Sequence, residues 1–276
     1  MYVNFEMFSS ITKFTGARLF SSASHSDQAF VVFGAGLSEG VKNIGGALAE
    51  RLVEQHDGNV ILVGRNEEKM QALKSELGDR VRYYCVDAVN DPKNIDHVFK
   101  DVGGPIVGVA NCIGSVLLKP VHSTTEKEFH ETMQTNAISS FNILKSSVKV
   151  MMRQEHGGSI AFCASAVAQH GIQNHEAIAA AKGAIVSMSK SAASTYAPKN
   201  IRVNCVAPGL IETPMTQRIT QNPAARKASE SMHALKRLGK PEDVASALEF
   251  FLNPRNDFVT GQVLGVCGGL SSIRAQ

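Results

Sequence analysis

The segment AFVVFGAGLSEGVKNIGGALAERL, residues 29–52, decides how the chain folds. Its first five residues, Ala29 to Phe33, are apolar without interruption, the mark of a strand buried on both faces. Glycines at 34 and 36 end that run, and from Ile44 the apolar residues return at helical spacing. A glycine-rich turn that follows a first strand and opens a first helix lets the backbone approach a pyrophosphate. The helix N-terminus then supplies free N–H groups and partial positive charge. Gly34, Gly36 and Gly45 are the candidate contacts. The turn is irregular, because extra residues separate Gly34 from Gly45, and the path of the loop over the phosphates stays open.

Working outward, six more apolar runs follow. They are NVILVGR (59–65), VRYYCVDA (81–88), IVGVANCIG (106–114), SIAFCAS (159–165), IRVNCVAPG (201–209) and GQVLGVCGG (261–269). Helical patterns separate them, as parallel strands require of their crossovers. Seven such strands with helices on both faces make an α/β fold, a doubly wound parallel sheet of the Rossmann type. With no internal repeat or linker, residues 27–276 read as one dinucleotide-binding domain.

Composition fits that domain: 43% of the 276 residues are hydrophobic and 19% charged, enough apolar material for a large core. The formal net charge is +3 with no lysine/arginine block, which argues against nucleic-acid binding. No window approaches the length of a membrane span. The five cysteines, Cys85, Cys112, Cys163, Cys205 and Cys267, form no C-x-x-C pair and read as buried, reduced thiols rather than a metal site. Residues 1–26 differ from the rest: serine-rich, with Lys13 and Arg18 against Glu6 alone, and containing ARLFSS. They read as a transit peptide for the mitochondrial matrix, cleaved before Ser21; the other reading is a tail with no address.

At the end of the second run stands Arg65, with no acid before it. An acid here would hold the ribose 2′-hydroxyl of NAD, whereas a guanidinium grips a 2′-phosphate, so NADP is expected over NAD. Asp87, closing the third run, is either a partner for the adenine amine or a cap for the next turn.

These motifs, in this order, resemble the short-chain dehydrogenase/reductase family over residues 29–270. ANCIG (110–114) is similar to the family's Asn-Asn-Ala-Gly, with Cys112 in place of the second asparagine, and the resemblance makes Asn111 and Gly114 cofactor contacts. It also makes Asn136 the holder of a proton-relay water, Ser165 the catalytic serine and Lys182 the catalytic lysine. IRVNCVAPGLIETPM (201–215) matches the Pro-Gly segment, whose Ile211 and Thr213 would contact the nicotinamide carboxamide and the phosphates. RLGKPEDVASALEFFL (237–252) and VTGQVLGVCGG (259–269) resemble members that reduce 3-oxoacyl thioesters. Phe33 and Cys267 depart from the family's threonine and aspartate.

The serious departure is Ile178. The family places its proton-donating tyrosine four residues before the lysine, on the same helix face, and isoleucine has no proton to give. Enoyl-thioester reductases of the family place theirs seven residues before, and here that position is His175, the substitute acid of choice. The other reading of His175 is a surface histidine at a helix start. Two functions therefore stand: an NADP(H)-dependent reductase of a carbonyl or enoyl group on an acyl-thioester-like substrate, or a degenerate structural or nucleotide-sensing subunit of a mitochondrial assembly. The resemblance implies a homo-oligomer, dimer or tetramer, acting on a small molecule, with no metal. The segment after Thr213, residues 214–233, reads as a variable lid without legible chemistry.

Overall fold

The computed structural model describes residues 28–273, so the leader and its cleavage point lie outside the described residues. Ala29–Phe33 forms β1, and all five residues are buried. Their side chains alternate between two cores. Ala29, Val31 and Phe33 face one, and Phe30 and Val32 the other, as strand geometry demands. β1 pairs in parallel with β4 (Asn59–Gly64) on one side and β6 (Ile106–Asn111) on the other. With β5 (Val81–Cys85), β7 (Gly158–Cys163), β8 (Ile201–Pro208) and β9 (Val263–Val266), the seven-stranded order is β5-β4-β1-β6-β7-β8-β9, every pairing parallel.

Each of the seven apolar runs holds one of these strands. Burial on both faces fails most at the sheet's edges. β5 and β9 are largely part-exposed, and Leu264 of β9 is open to solvent. An edge strand has a neighbour on one side only, and its end helices do not cover it fully.

Two helical layers close the faces. On one, α1 (Ile44–Gln55), α2 (Glu67–Leu77) and α9 (Pro241–Leu252) bury Leu48, Leu52, Met70, Leu73, Leu248 and Phe251. On the other, α3 (Lys93–Asp101), α5 (Ser139–Met151) and α6 (Glu176–Tyr196) bury Ile95, Phe99, Ile143, Met151 and Ile185. α4 (Glu126–Met133) runs into α5 through a π-turn over Gln134–Ile138, and the seryl hydroxyls of 139 and 140 bond back to the Thr135 and Asn136 carbonyls. Such a wide turn shifts the register of everything after it. No helix of the described residues is long and apolar enough to cross a membrane. Of the cysteines, 163, 205 and 267 are buried and 112 is half-buried. Cys85 is exposed, against expectation, because it ends an edge strand.

The irregular turn resolves into a clamp and a hairpin. Asn43 caps α1, its Oδ1 accepting from the Gly46 N–H (2.9 Å), and the same oxygen accepts from the Gly36 N–H (3.1 Å). Its Nδ2 donates to the Gly34 carbonyl (2.9 Å), and its N–H to the Gly36 carbonyl (3.1 Å). Gly36 and Asn43 are thereby neighbours, and the six residues between them leave the loop as a hairpin of β2 (Leu37–Ser38) and β3 (Val41–Lys42). Its tip, Glu39–Gly40, has positive φ at both residues (51° and 74°), the turn that matches strand twist. Lys42 pins the hairpin to Glu50 (2.7 Å) and Glu76 (2.5 Å). Gly34 and Gly45 tolerate no side chain. A Cβ on Gly34 would lie 2.8 Å from the Ile113 nitrogen, and one on Gly45 2.8 Å from the Ala35 Cα.

Asn43→Ala removes the cap and both cross-loop bonds of the side chain. We expect it to lower unfolding free energy by about 1–2 kcal/mol in urea titrations, with Asn43→Asp recovering most of the cap and less of the clamp.

Candidate active site

Chain order reverses between β1 and β6, and a ligand crevice belongs beyond the carboxyl ends of those strands. A cavity of about 520 Å³ lies there. Gly36, Ser38, Asn43, Ile44 and Lys69 line one end; Cys112, Gly114, Cys163, Ser165, Ile178 and Lys182 its middle; Val116, Leu118, Met215, Ile219 and Met232 the far end. Among the described residues, Lys69 and Lys182 are its only lining lysines or arginines, and no carboxylate lines it.

The first end suits a phosphate chain. α1 presents its N-terminus there with no acidic residue in the first turn, and the glycines keep the approach free of side chains. These observations fit a dinucleotide. Lys69 adds an ammonium, its Cβ and Cδ 3.5 and 4.0 Å from where a Cβ on Gly36 would sit. Lys69 was not expected: as the third residue of α2 it reads as a solvated helix position.

Two expected contacts, Arg65 and Asp87, stand beside each other. Arg65 does not line the cavity; its side chain is 71% exposed, with Nη1 3.9 Å from Asp87. Asp87 caps the turn that follows β5, one of the two roles expected of it. Its carboxylate accepts from the N–H groups of Val89 (2.8 Å) and Asn90 (3.0 Å) and from Asn90 Nδ2 (2.9 Å). Burial works against that carboxylate, yet the bonds from Asn90 and Val89 and the charge of Arg65 hold its pKa below the ordinary value.

In the middle, Lys182 on α6 is buried, and its Nζ donates to the Cys163 carbonyl (2.9 Å). Gly114 sits against it, since a Cβ there would lie 3.2 Å from Nζ and 3.1 Å from Asn136 Oδ1. Burial depresses the lysine's pKa. Its nearest titratable neighbours are the thiols of Cys163, Cys112 and Cys205, and no carboxylate helps. The thiols respond in kind: burial pushes Cys112 well above its ordinary value, and burial raises Cys163 while Lys182 opposes the rise.

Asn136, in the π-turn, is fully buried. Its Nδ2 donates to Ser115 Oγ (3.0 Å) and the Thr132 carbonyl (2.9 Å), and its Oδ1 accepts from the Ser115 N–H (3.2 Å). Its carbonyl accepts from the Ser140 hydroxyl (2.7 Å), which Asn111 Nδ2 also reaches (2.9 Å). Asn111 is likewise buried, behind the wall rather than on it. Beyond β8, Ile211 and Thr213 both line the cavity. Thr216 Oγ1 pins them, donating to the Ile211 carbonyl (2.5 Å) and accepting from the Thr213 N–H (3.0 Å).

Ser165 begins a 3-10 turn, Ala166–Ala168, with its Oγ accepting weakly from the Val167 N–H (3.4 Å). His175 caps α6 and lines the same cavity, after Asn174 in left-handed conformation (φ 63°). Its Nδ1 lies 2.7 Å from the Gln173 carbonyl. A carbonyl only accepts, so Nδ1 carries the proton, and Nε2 is left to exchange one. Ile178 is buried at the cavity wall, one turn before Lys182. Among the described tyrosines none stands in for it. Tyr83 and Tyr84 bond Glu67 and Asp101, and Tyr196 ends α6 against the core. The site can thus bind an apolar molecule with one polar oxygen directed at Ser165, and can deliver a proton from His175.

Known proteins share this architecture. A family model described as enoyl-(acyl carrier protein) reductase matches residues 40–271. The 3-oxoacyl-(acyl-carrier-protein) reductase FabG of Chlamydia muridarum is 32% identical over 238 residues, covering 84% of this chain and 94% of that protein. Among solved structures, a short-chain type dehydrogenase/reductase from Mycobacterium ulcerans superposes with a TM-score of 0.81 at 29% identity, over 91% of this chain and 92% of that one. ElxO with NADP bound does so with a TM-score of 0.80 at 25% identity, over 89% and 99%.

A buried ammonium without a counter-anion opposes folding. Its lowered pKa means the folded chain holds fewer protons than the unfolded chain between that lowered value and 10.5, so stability rises with pH across that window. Lys182→Met should raise unfolding free energy at pH 7 by about 0.5–2 kcal/mol, with the difference from the parent protein shrinking as urea titrations are repeated at higher pH.

Proposed function

The chain belongs to the short-chain dehydrogenase/reductase family, and on that premise we propose that it is an NADP(H)-dependent reductase of a carbonyl or enoyl group on an apolar, acyl-thioester-like small molecule, working in the mitochondrial matrix. One observation carries the reading: a single cavity joins the α1 N-terminus to Ser165, Lys182 and His175 and then to an apolar far end. When bound, NADPH supplies the hydride. The glycines and the α1 N-terminus would hold its phosphates, with Lys69 and the exposed Arg65 available to a 2′-phosphate. Lys182 would hold ribose hydroxyls with the donors that Cys163 leaves free.

Ser165 then orients the substrate oxygen. His175, protonated, gives the proton from Nε2 while its Nδ1–H stays on the Gln173 carbonyl. The apolar residues 116, 118, 215, 219 and 232 exclude water and accept an acyl chain. The matrix location rests on the leader's composition, and a homo-oligomer is expected from the family.

A second reading has its own support. Ile178 fills the phenol's place, and Lys182 already has a protein acceptor, as in a structural or nucleotide-sensing subunit.

Oxidation of NADPH by oxoacyl and enoyl thioesters separates the two. The reductase reading expects turnover that His175→Phe cuts about a hundredfold or more, with NADPH affinity unchanged. If the parent protein binds NADPH yet turns over no thioester, while Ile178→Tyr does, the second reading stands. For cofactor choice, Lys69→Ala with Arg65→Ala should erase the preference for NADPH over NADH in fluorescence titrations; an unchanged preference removes both cations from the 2′-phosphate.

A further inference from the structure

The lid carries one histidine whose surroundings fix its chemistry. His233 follows α8 (Pro223–Met232) and is 2% exposed, yet it borders the cavity. Its Nδ1 lies 2.7 Å from the Ser229 carbonyl, one turn back on α8. Its Nε2 lies 3.2 Å from the Leu210 backbone nitrogen, in the segment after β8. A carbonyl can only accept and an amide N–H can only donate. Nδ1 must therefore carry the hydrogen and Nε2 the lone pair: the ring is neutral and in one tautomer.

The backbone around it is shaped to the ring. A Cβ on Gly209 would stand 2.5 Å from Nε2, and one on Gly268 3.5 Å from the ring's Cδ2. Leu210 is held at both ends of its backbone, since its carbonyl accepts from the Gly239 N–H (3.0 Å) while its N–H goes to His233. Leu210 directly precedes Ile211 on the cavity wall. A Cβ on Gly209 would also meet the Cys267 Cα (3.1 Å), and one on Gly268 the Leu235 Cβ (3.7 Å). The Cys267 thiol is paired with Ser271 Oγ (3.2 Å), and the backbone N–H of Lys236 donates to the His233 carbonyl (3.0 Å).

We propose that His233 is a positioning residue and a proton-operated latch: neutral, it ties the lid helix to Leu210 and so fixes the Ile211–Thr213 wall, and a second proton on the ring undoes the tie. Imidazolium would set N–H against N–H at Leu210, and that bond can only be lost. The geometry of the latch is independent of any ligand. Its effect on NADPH rests on the reductase reading above.

The test has a part that needs no cofactor. Nitrogen-15 spectra of the apo protein at pH 8 should show His233 as the Nδ1–H tautomer. On acidification toward pH 5, hydrogen exchange at Leu210 should quicken. His233→Gln, whose Oε1 accepts at any pH, should keep Leu210 protected throughout, and His233→Phe should leave it fast throughout. An Nε2–H or doubly protonated ring at pH 8, or Leu210 exchange indifferent to pH and to both substitutions, overturns the proposal. With NADPH, in a His175→Phe background so that the other cavity imidazole does not titrate, Kd should rise about tenfold on acidification with His233 and stay flat with glutamine. A flat response with His233 present overturns the positioning role. If no variant binds NADPH, the reductase reading fails, and the tautomer and exchange results alone decide the latch.

Discussion

A strand whose every residue is buried has to be covered above and below and paired on both sides. β1 meets all four conditions, and the rest of the molecule is the means of meeting them. Helices supply the two covers, which forces parallel neighbours and long crossovers. Because the chain fills one flank of β1 first and the other afterwards, the connections diverge at its carboxyl end and leave a gap between them. The backbone entering that gap must turn sharply and closely, which is why Gly34 and Gly45 lack room for even a methyl group. Cavity, helix terminus and buried lysine all follow from where that gap lies.

Apolar continuity made the strands legible: each of the seven runs contains one, and the alternation of β1 between two cores follows from the pleat alone. Exposure at β5 and β9 was not legible, because being at an edge is a property of strand order rather than composition. The clamp at Asn43 was not legible either. It depends on one side chain reaching residues seven and nine positions back, and the sequence shows only surplus length. The same limit hid the π-turn, which closed Asn136 onto Ser115, Thr132 and Ser140.

At the site, the residues at the motif positions, Ser165, Lys182, Ile211 and Thr213, line one cavity together with His175. Charge was harder to read than position. Arg65 and Asp87 end adjacent strands and turn toward each other and the next loop, while Lys69, one turn into a helix, reaches the crevice. The lid read as chemically silent because its one informative residue speaks only through backbone groups on two distant segments. Where a phenol would lower the cost of a buried ammonium by sharing its proton, isoleucine leaves the lysine among thiols that stay protonated. That difference, more than the loss of a donor alone, sets this crevice apart.

The hairpin at residues 37–42 has a consequence for how the molecule can be altered. Because one asparagine side chain seals its neck, what lies beyond the neck is isolated from the curvature of the glycine turn. Chain inserted at the tip, between Glu39 and Gly40, would lengthen a loop whose closure cost grows only slowly with size. The tip is thus a port: an epitope, a fluorophore-binding peptide or a second folded module could be spliced there while the nucleotide-facing backbone keeps its path.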